Sequence, residues 1–158
     1  MILVVAAAVG FRAYQVMPDR VGWDFINFNN KVLNPALELI PDAKRLQAAK
    51  TDAAKADAYA QDFAPIYAEK IQHLQAFQPR TKEVRRLRDQ YLTGWQDMLQ
   101  GYLDYSKGVP AKDPGLIASS AREFIAGQAV LVEARQDGLA IIKAHHLQYA
   151  SEKGHGQK

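Results

Sequence analysis

Apolar residues recur every three or four positions along most of this chain, and strand-like alternation persists nowhere beyond its opening residues. This spacing predicts amphipathic α-helices. We therefore predict an all-α fold: an up-and-down bundle of three or four long helices, preceded by an apolar N-terminal helix. The predicted organisation is an apolar segment over 1–17, an amphipathic aromatic segment over 18–41, the helical bundle over 42–150 and a flexible polar tail over 151–158.

Prolines divide the first half of this pattern. Asn34 followed by Pro35 predicts an N-cap and the first residue of a short helical turn that runs through Ile40. The apolar spacing over 43–77 predicts one long helix, which Pro65 should kink because proline removes a hydrogen bond and crowds the preceding turn.

The second half predicts two further long helices. Thr81 is expected to cap the first of them and Gly108 to end it, and Asp113 with Pro114 is expected to start the second. The predicted buried face of the last helix consists of Ile117, Ala121, Phe124, Leu131, Leu139, Ile142 and Tyr149.

Two glycines inside the first of these helices need an explanation, because glycine weakens a helix. Gly94 and Gly101 lie seven residues apart and therefore share one helix face. Close approach of a neighbouring helix is the first interpretation, and a ligand groove bordered by Gly94, Trp95 and Gly101 is the alternative.

The chain opens with eleven uncharged residues, and the first charge is Arg12. A signal peptide, the end of a membrane anchor, a helix docked on a partner and a buried core helix all fit this composition. We favour an anchor or a docked helix, since the aromatic segment that follows suits a membrane interface, although it also suits a helix that covers a bundle. The residues expected to dock are Ile2, Leu3, Val4, Val5, Phe11, Trp23, Phe25 and Phe28.

Composition limits the chemistry. The 158 residues suffice for one domain, and 48% apolar with 23% charged residues is ordinary for a globular protein. The chain has no cysteine, which excludes disulfides, thiolate catalysis, zinc fingers and iron–sulfur clusters. Its net charge of +3 is small for a dedicated nucleic-acid binder.

Metal and catalytic motifs are sparse. A single Glu-x-x-His spacing occurs, Glu152 with His155 in the polar tail, whereas the di-iron motif of helical bundles needs two such pairs. His73, His145 and His146 are weak metal-ligand candidates, and the last two suit a helix C-terminus equally well. No nucleophile–base pair or phosphate loop is evident, so we expect no enzyme activity and no cofactor.

The densest charge feature is a basic cluster at a predicted helix N-terminus, where free amides can bind an anion or an acidic partner surface. The alternative is a solvated face balanced by neighbouring acids. The cluster consists of Arg80, Lys82, Arg85, Arg86 and Arg88.

These features predict a non-enzymatic helical bundle that acts through protein–protein contacts, as a membrane-tethered or membrane-complex accessory subunit. The expected partner is a protein or a membrane at the N-terminal segment, without nucleic acid, and a homo-oligomer is compatible with the pattern.

Arg12 and Arg20 favour a cytoplasmic bundle. We nevertheless expect an extracytoplasmic one, because short N-terminal anchors often precede exported domains. The alternatives are a soluble bundle that binds a small ligand or haem between helices, and an anion or nucleic-acid binder that uses Arg80–Arg88.

Overall fold

The computed structural model describes residues 18–41 and 43–147, which form helices and no strand. The prediction of an all-α bundle is confirmed. The predicted N-terminal helix and polar tail lie outside the described residues.

Two long antiparallel helices form the main body of the bundle. Helix α6 spans Lys82–Ala111 and helix α7 spans Pro114–Ala144. Asp113 starts α7 as predicted, because its carboxylate accepts hydrogen bonds from the first free amides of the helix. The prediction that Gly108 ends α6 is wrong: Lys112 adopts the left-handed conformation at the C-terminus instead, with φ of 53°.

Small residues line the contact between α6 and α7, which we call the glycine seam. It consists of Gly94, Gly101 and Gly108 on α6 and Ser120 and Gly127 on α7. A Cβ atom on Gly94 would lie 2.7 Å from the Leu131 side chain, and one on Gly127 would lie 2.8 Å from the Gly94 carbonyl oxygen. Glycine therefore allows the two backbones to approach this closely, as the first interpretation predicted.

The predicted buried face of α7 is partly wrong. The helix buries small residues seven apart, Ser120, Gly127 and Ala134, whereas Ala121 and the larger Ile117 and Leu139 are exposed. The reason is the short distance between the two helices, which leaves no room for branched side chains along the line of closest approach.

The predicted single helix over 43–77 is also wrong. A short helix α3, Lys44–Ala48, ends before Thr51, which caps helix α4, Asp52–Ala58, by accepting a hydrogen bond from Ala54. A π-helical turn, Tyr59–Phe63, connects α4 to helix α5, Ala64–Ala76. This wider turn accommodates Pro65, because a proline ring crowds the carbonyl group of the preceding turn.

A second π-helical turn before a proline occurs near the start of the described chain. Helix α1, Arg20–Phe28, continues through a π-helical turn, Asn29–Leu33, into helix α2, Asn34–Glu38. Asn34 therefore has helical backbone angles, and the prediction that it is an N-cap is wrong. The π turn accommodates Pro35 within one helical path, so no new helix start is needed.

Two hydrophobic clusters hold these helices together. The first joins α1, α5, α6 and α7 around Phe25, Phe28, Leu74 and Leu87. The second is rich in aromatic rings and includes Tyr59, Phe63, Tyr67, Tyr102 and Phe124. Burial raises the pKa of the Tyr67 and Tyr102 hydroxyls, so both remain neutral at physiological pH.

Lys70 on α5 is a buried cation beside the first hydrophobic cluster. Only 7% of it is exposed, and its ammonium group lies 5.1 Å from the centre of the Tyr67 ring and 5.5 Å from that of Trp95. It forms no ion pair with the residues that the structure describes. Burial lowers the pKa of Lys70.

Replacement of Lys70 by methionine should therefore raise the free energy of unfolding at pH 7 by about 1 kcal/mol, since methionine fills the same space without a buried charge. The folded-state pKa of Lys70 lies below the unfolded one, so the wild-type free energy of unfolding should increase as pH rises from the folded pKa towards the ordinary lysine value of 10.5. The difference in free energy of unfolding between Lys70→Met and the wild type should therefore shrink over this pH range. Urea denaturation at several pH values measures this, with Lys107→Met as an exposed control. A loss above about 1 kcal/mol at pH 7 would show that the two aromatic rings outweigh desolvation.

Candidate functional site

A buried carboxylate occupies the N-terminus of α6. Asp24 on α1 is 4% exposed. Its Oδ2 atom accepts hydrogen bonds from the Arg80 amide at 2.9 Å, the Thr81 amide at 2.8 Å and the Thr81 hydroxyl at 2.7 Å. Thr81 lies at the predicted cap position, yet its hydroxyl group donates to Asp24 and makes no capping bond of its own. The anion expected at this helix end is therefore supplied by the protein itself.

The predicted basic cluster is divided by the fold. Arg86 pairs with Asp137 on α7 at 3.2 Å, and the Arg88 guanidinium donates to the Phe77 carbonyl oxygen at 3.1 Å. These two arginines connect helices. Arg80, Lys82 and Arg85 are exposed, and within the described chain they form no ion pair.

Arg80 instead borders a surface cleft beside α1, which we call the Arg–Trp cleft. Its volume is about 450 Å³, and its lining residues are Arg20, Trp23, Asp24, Asn27 and Arg80. The Arg20 guanidinium reaches the Arg80 carbonyl oxygen at 3.5 Å, and the Trp23 side chain is 45% exposed. All three hydrogen bonds of Asp24 go to its Oδ2 atom, and the cleft combines this carboxylate with two arginine side chains and an exposed indole ring.

The Arg–Trp cleft lies at the N-terminal end of α1. Asp19 caps α1 through the Gly22 amide at 2.8 Å and contacts His145 at the end of α7 at 2.7 Å. The Gly22 hydrogen bond and then the His145 contact lower the pKa of the Asp19 carboxyl group. This carboxylate therefore fixes the beginning of α1 against the end of α7.

The residues predicted to dock on a membrane or a partner do not share one location in the fold. Phe25 and Phe28 are buried in the first hydrophobic cluster, so their assignment as docking residues is wrong: they face α6 and the protein's own core. Trp23 alone of the aromatic docking residues in α1 is exposed. Ile2, Leu3, Val4, Val5 and Phe11 lie outside the described residues.

The predicted groove residues are covered by α7. The Leu131 and Phe124 side chains fill the space in front of Gly94 and Gly101, and Trp95 is buried in the first cluster. No room for a ligand remains at these glycines.

The three described histidines have different surroundings. His73 pairs with Glu69 on its own helix at 4.0 Å, His145 contacts Asp19, and His146 lies in the turn after α7 with φ of 52°. Over residues 18–41 and 43–147, no three histidine, aspartate or glutamate side chains come together as a set that could hold a metal ion.

Sequence reasoning missed Asp24 and underrated Arg20. One signal was available for Asp24: the residue lies inside the apolar stretch of an amphipathic helix, directly before Phe25, where a carboxylate needs a buried partner. The partner itself is 57 residues away and was not predictable.

Within the described part of the chain, no helix combines the length and apolar character needed to cross a membrane. Comparison of the chain with protein-family models, curated proteins and solved structures finds no match in any of the three.

Proposed function

We propose that this protein is a non-enzymatic helical-bundle subunit that acts through contacts, tethered to a membrane by residues 1–17. In this proposal the Arg–Trp cleft faces the lipid headgroups. The bundle positions a contact surface at the membrane rather than performing a reaction.

The observation that carries the proposal is the position of the cleft. Arg12 ends the uncharged opening of the chain, and α1 begins eight residues later at Arg20. On α1 the exposed Trp23 and the cationic Arg20 line the same cleft as Arg80. Tryptophan and arginine favour the headgroup region, where an apolar ring body and a charged group are both accommodated. An acidic membrane surface would add electrostatic attraction for each exposed arginine.

Two carboxylates, the buried Asp24 and the exposed Asp19, support a structural use of this end of the bundle. Asp24 satisfies three donors, and Asp19 joins α1 to α7. Rigid attachment of α1 to the long helices would transmit the orientation of the membrane-facing end to the rest of the protein.

Vesicle flotation tests the proposal. The full chain should float with vesicles that contain acidic phospholipid, and a variant without residues 1–17 should stay in the aqueous fraction with an unchanged helical circular dichroism spectrum. Changing Arg20 and Arg80 to glutamate should weaken binding at least about tenfold, because each basic group near an anionic surface contributes roughly 1 kcal/mol.

The matched control is Lys107→Glu with Lys112→Glu, which changes the same charge at the opposite end of α6. This control should float like the wild type. Equal flotation of the chain with and without residues 1–17, or no flotation of the full chain, would refute the tether.

We also propose that the bundle lies on the extracytoplasmic side. The chain lacks cysteine, so a single Lys107→Cys variant provides one labelling site. Labelling by a membrane-impermeant maleimide in intact cells should succeed, and labelling only after lysis would place the bundle in the cytoplasm.

A further inference from the structure

Helix α7 exposes an apolar face along most of its length. Ile125, Val132 and Leu139 are 71%, 58% and 50% exposed and lie seven residues apart, so they form one line, which we call the α7 stripe. Alanines accompany the stripe on the same side of the helix, at Ala118, Ala121 and Ala129. The face is about 32 Å long by the helical rise and carries no charge along its centre. An exposed apolar surface of this kind is typical of an interaction site.

We propose that the α7 stripe binds the same stripe of a second copy, with the two α7 helices antiparallel. This inference goes beyond the proposed function and does not depend on membrane binding. The reason to choose a second copy is that the face is complementary to itself in size and in charge.

The size complementarity appears when the two-fold axis is placed between Gly127 and Gln128. Ile125 then faces Ala129 of the second copy, Val132 faces Ala121, and Leu139 faces Ala118. In each pair, the distances of the two residues from the axis agree to within about two residues, or 3 Å along the helix. Every large side chain of the stripe thus meets a small one, which is the arrangement that lets two helices pack closely.

The charge complementarity uses the same axis. Arg122 and Glu133 lie at equal distances on either side of it and on the same flank of the stripe. Both are exposed, and neither forms an ion pair with the described residues of its own chain. Antiparallel pairing brings Arg122 of each copy next to Glu133 of the other, which gives two ion pairs at the edge of an apolar contact.

A contact made by one helix from each copy is small, so we expect a dissociation constant on the order of micromolar. Sedimentation velocity on the full chain in a mild detergent, without vesicles, measures it over roughly 1 to 100 μM. The wild type should shift from monomer to dimer over this range.

Variants test the interface and its register. Val132→Lys should abolish the dimer without loss of helical structure, whereas Ile40→Lys, at a 78% exposed isoleucine away from α7, should leave it intact. Arg122→Glu and Glu133→Arg should each weaken association about tenfold, because each places like charges together twice. The double variant should restore association to within about threefold of the wild type, since it exchanges the two charges and recreates both pairs.

Four results would overturn the proposal. A full chain that stays monomeric, or a dimer that Val132→Lys leaves unchanged, excludes the α7 stripe as the interface between copies. A monomer whose melting temperature falls with Val132→Lys indicates that the chain's own residues 1–17 cover the stripe. A double charge variant that remains as weak as the single ones refutes the antiparallel register. Because vesicle flotation is a separate measurement, failure of the tether leaves these outcomes unaffected.

Discussion

Replacement of Asp24 by alanine should lower the free energy of unfolding by about 4 kcal/mol. The change removes the acceptor of three hydrogen bonds and leaves the Thr81 amide and hydroxyl buried without a partner. Hydrogen bonds to a charged group contribute about 1.5–3 kcal/mol each, and they are not additive at a single oxygen atom. Urea denaturation followed by circular dichroism measures the loss.

The conservative control is Asp24→Asn, which keeps the shape and one acceptor oxygen. We expect this variant to lose about half as much, because the acceptor is then neutral and makes weaker hydrogen bonds. A loss below about 1 kcal/mol for Asp24→Ala would show that water replaces the carboxylate easily, and that α1 is not fixed to α6 through this residue.

The second large effect is expected in the glycine seam. Gly127→Ala should lower the free energy of unfolding by about 2 kcal/mol, although alanine favours helix formation. The added Cβ atom would lie 2.8 Å from the Gly94 carbonyl oxygen, which is backbone and cannot move without separating the two helices. Overpacking of this kind typically costs about 1–3 kcal/mol.

Gly138→Ala is the matched control on the same helix. Its added Cβ atom would meet nothing closer than 3.9 Å, so the substitution should raise stability by about 0.5–1 kcal/mol through helix propensity alone. Thermal denaturation of the two variants separates the effects. Similar melting temperatures for both variants would show that α6 and α7 lie too far apart at Gly127 for an added Cβ atom to clash.

These two sites have related consequences for the proposed function. Asp24 attaches the cleft-bearing α1 to the long helix pair, and the seam holds the two helices of that pair in close contact. The α7 stripe lies on the outer face of the same pair. The proposed membrane contact at one end and the proposed pairing of two copies along α7 would therefore use the same pair of long helices.

The sequence predicted that this protein is helical. The three- to four-residue spacing predicted helices because an amphipathic helix needs one apolar face, whatever it packs against. Asp113-Pro114 predicted the start of α7 for a local reason as well, since a side-chain cap and a proline act within one turn. Gly94 and Gly101 indicated a close approach, because an interior glycine has a local cost that only a tertiary contact repays.

Other features depended on neighbours that are distant in the sequence. The apolar pattern did not distinguish the buried face of α7 from its exposed one, because the small residues that face α6 carry little hydrophobic signal. The π turns before Pro35 and Pro65 were unexpected, since a kink and a wider turn both satisfy the local proline rules.

The candidate site likewise combines features that the sequence predicted with features that depend on residues distant in the chain. The basic cluster over 80–88 was visible in the sequence, yet its members are used differently because Asp137 and Phe77 reach two of them. Local residue patterns predicted which segments are helical and where the two long helices α6 and α7 begin, but not the separate starts of α4 and α5. The tertiary structure alone decided which faces are buried and that Asp24 fills the N-terminus of α6, because these outcomes depend on distances between residues far apart in the chain.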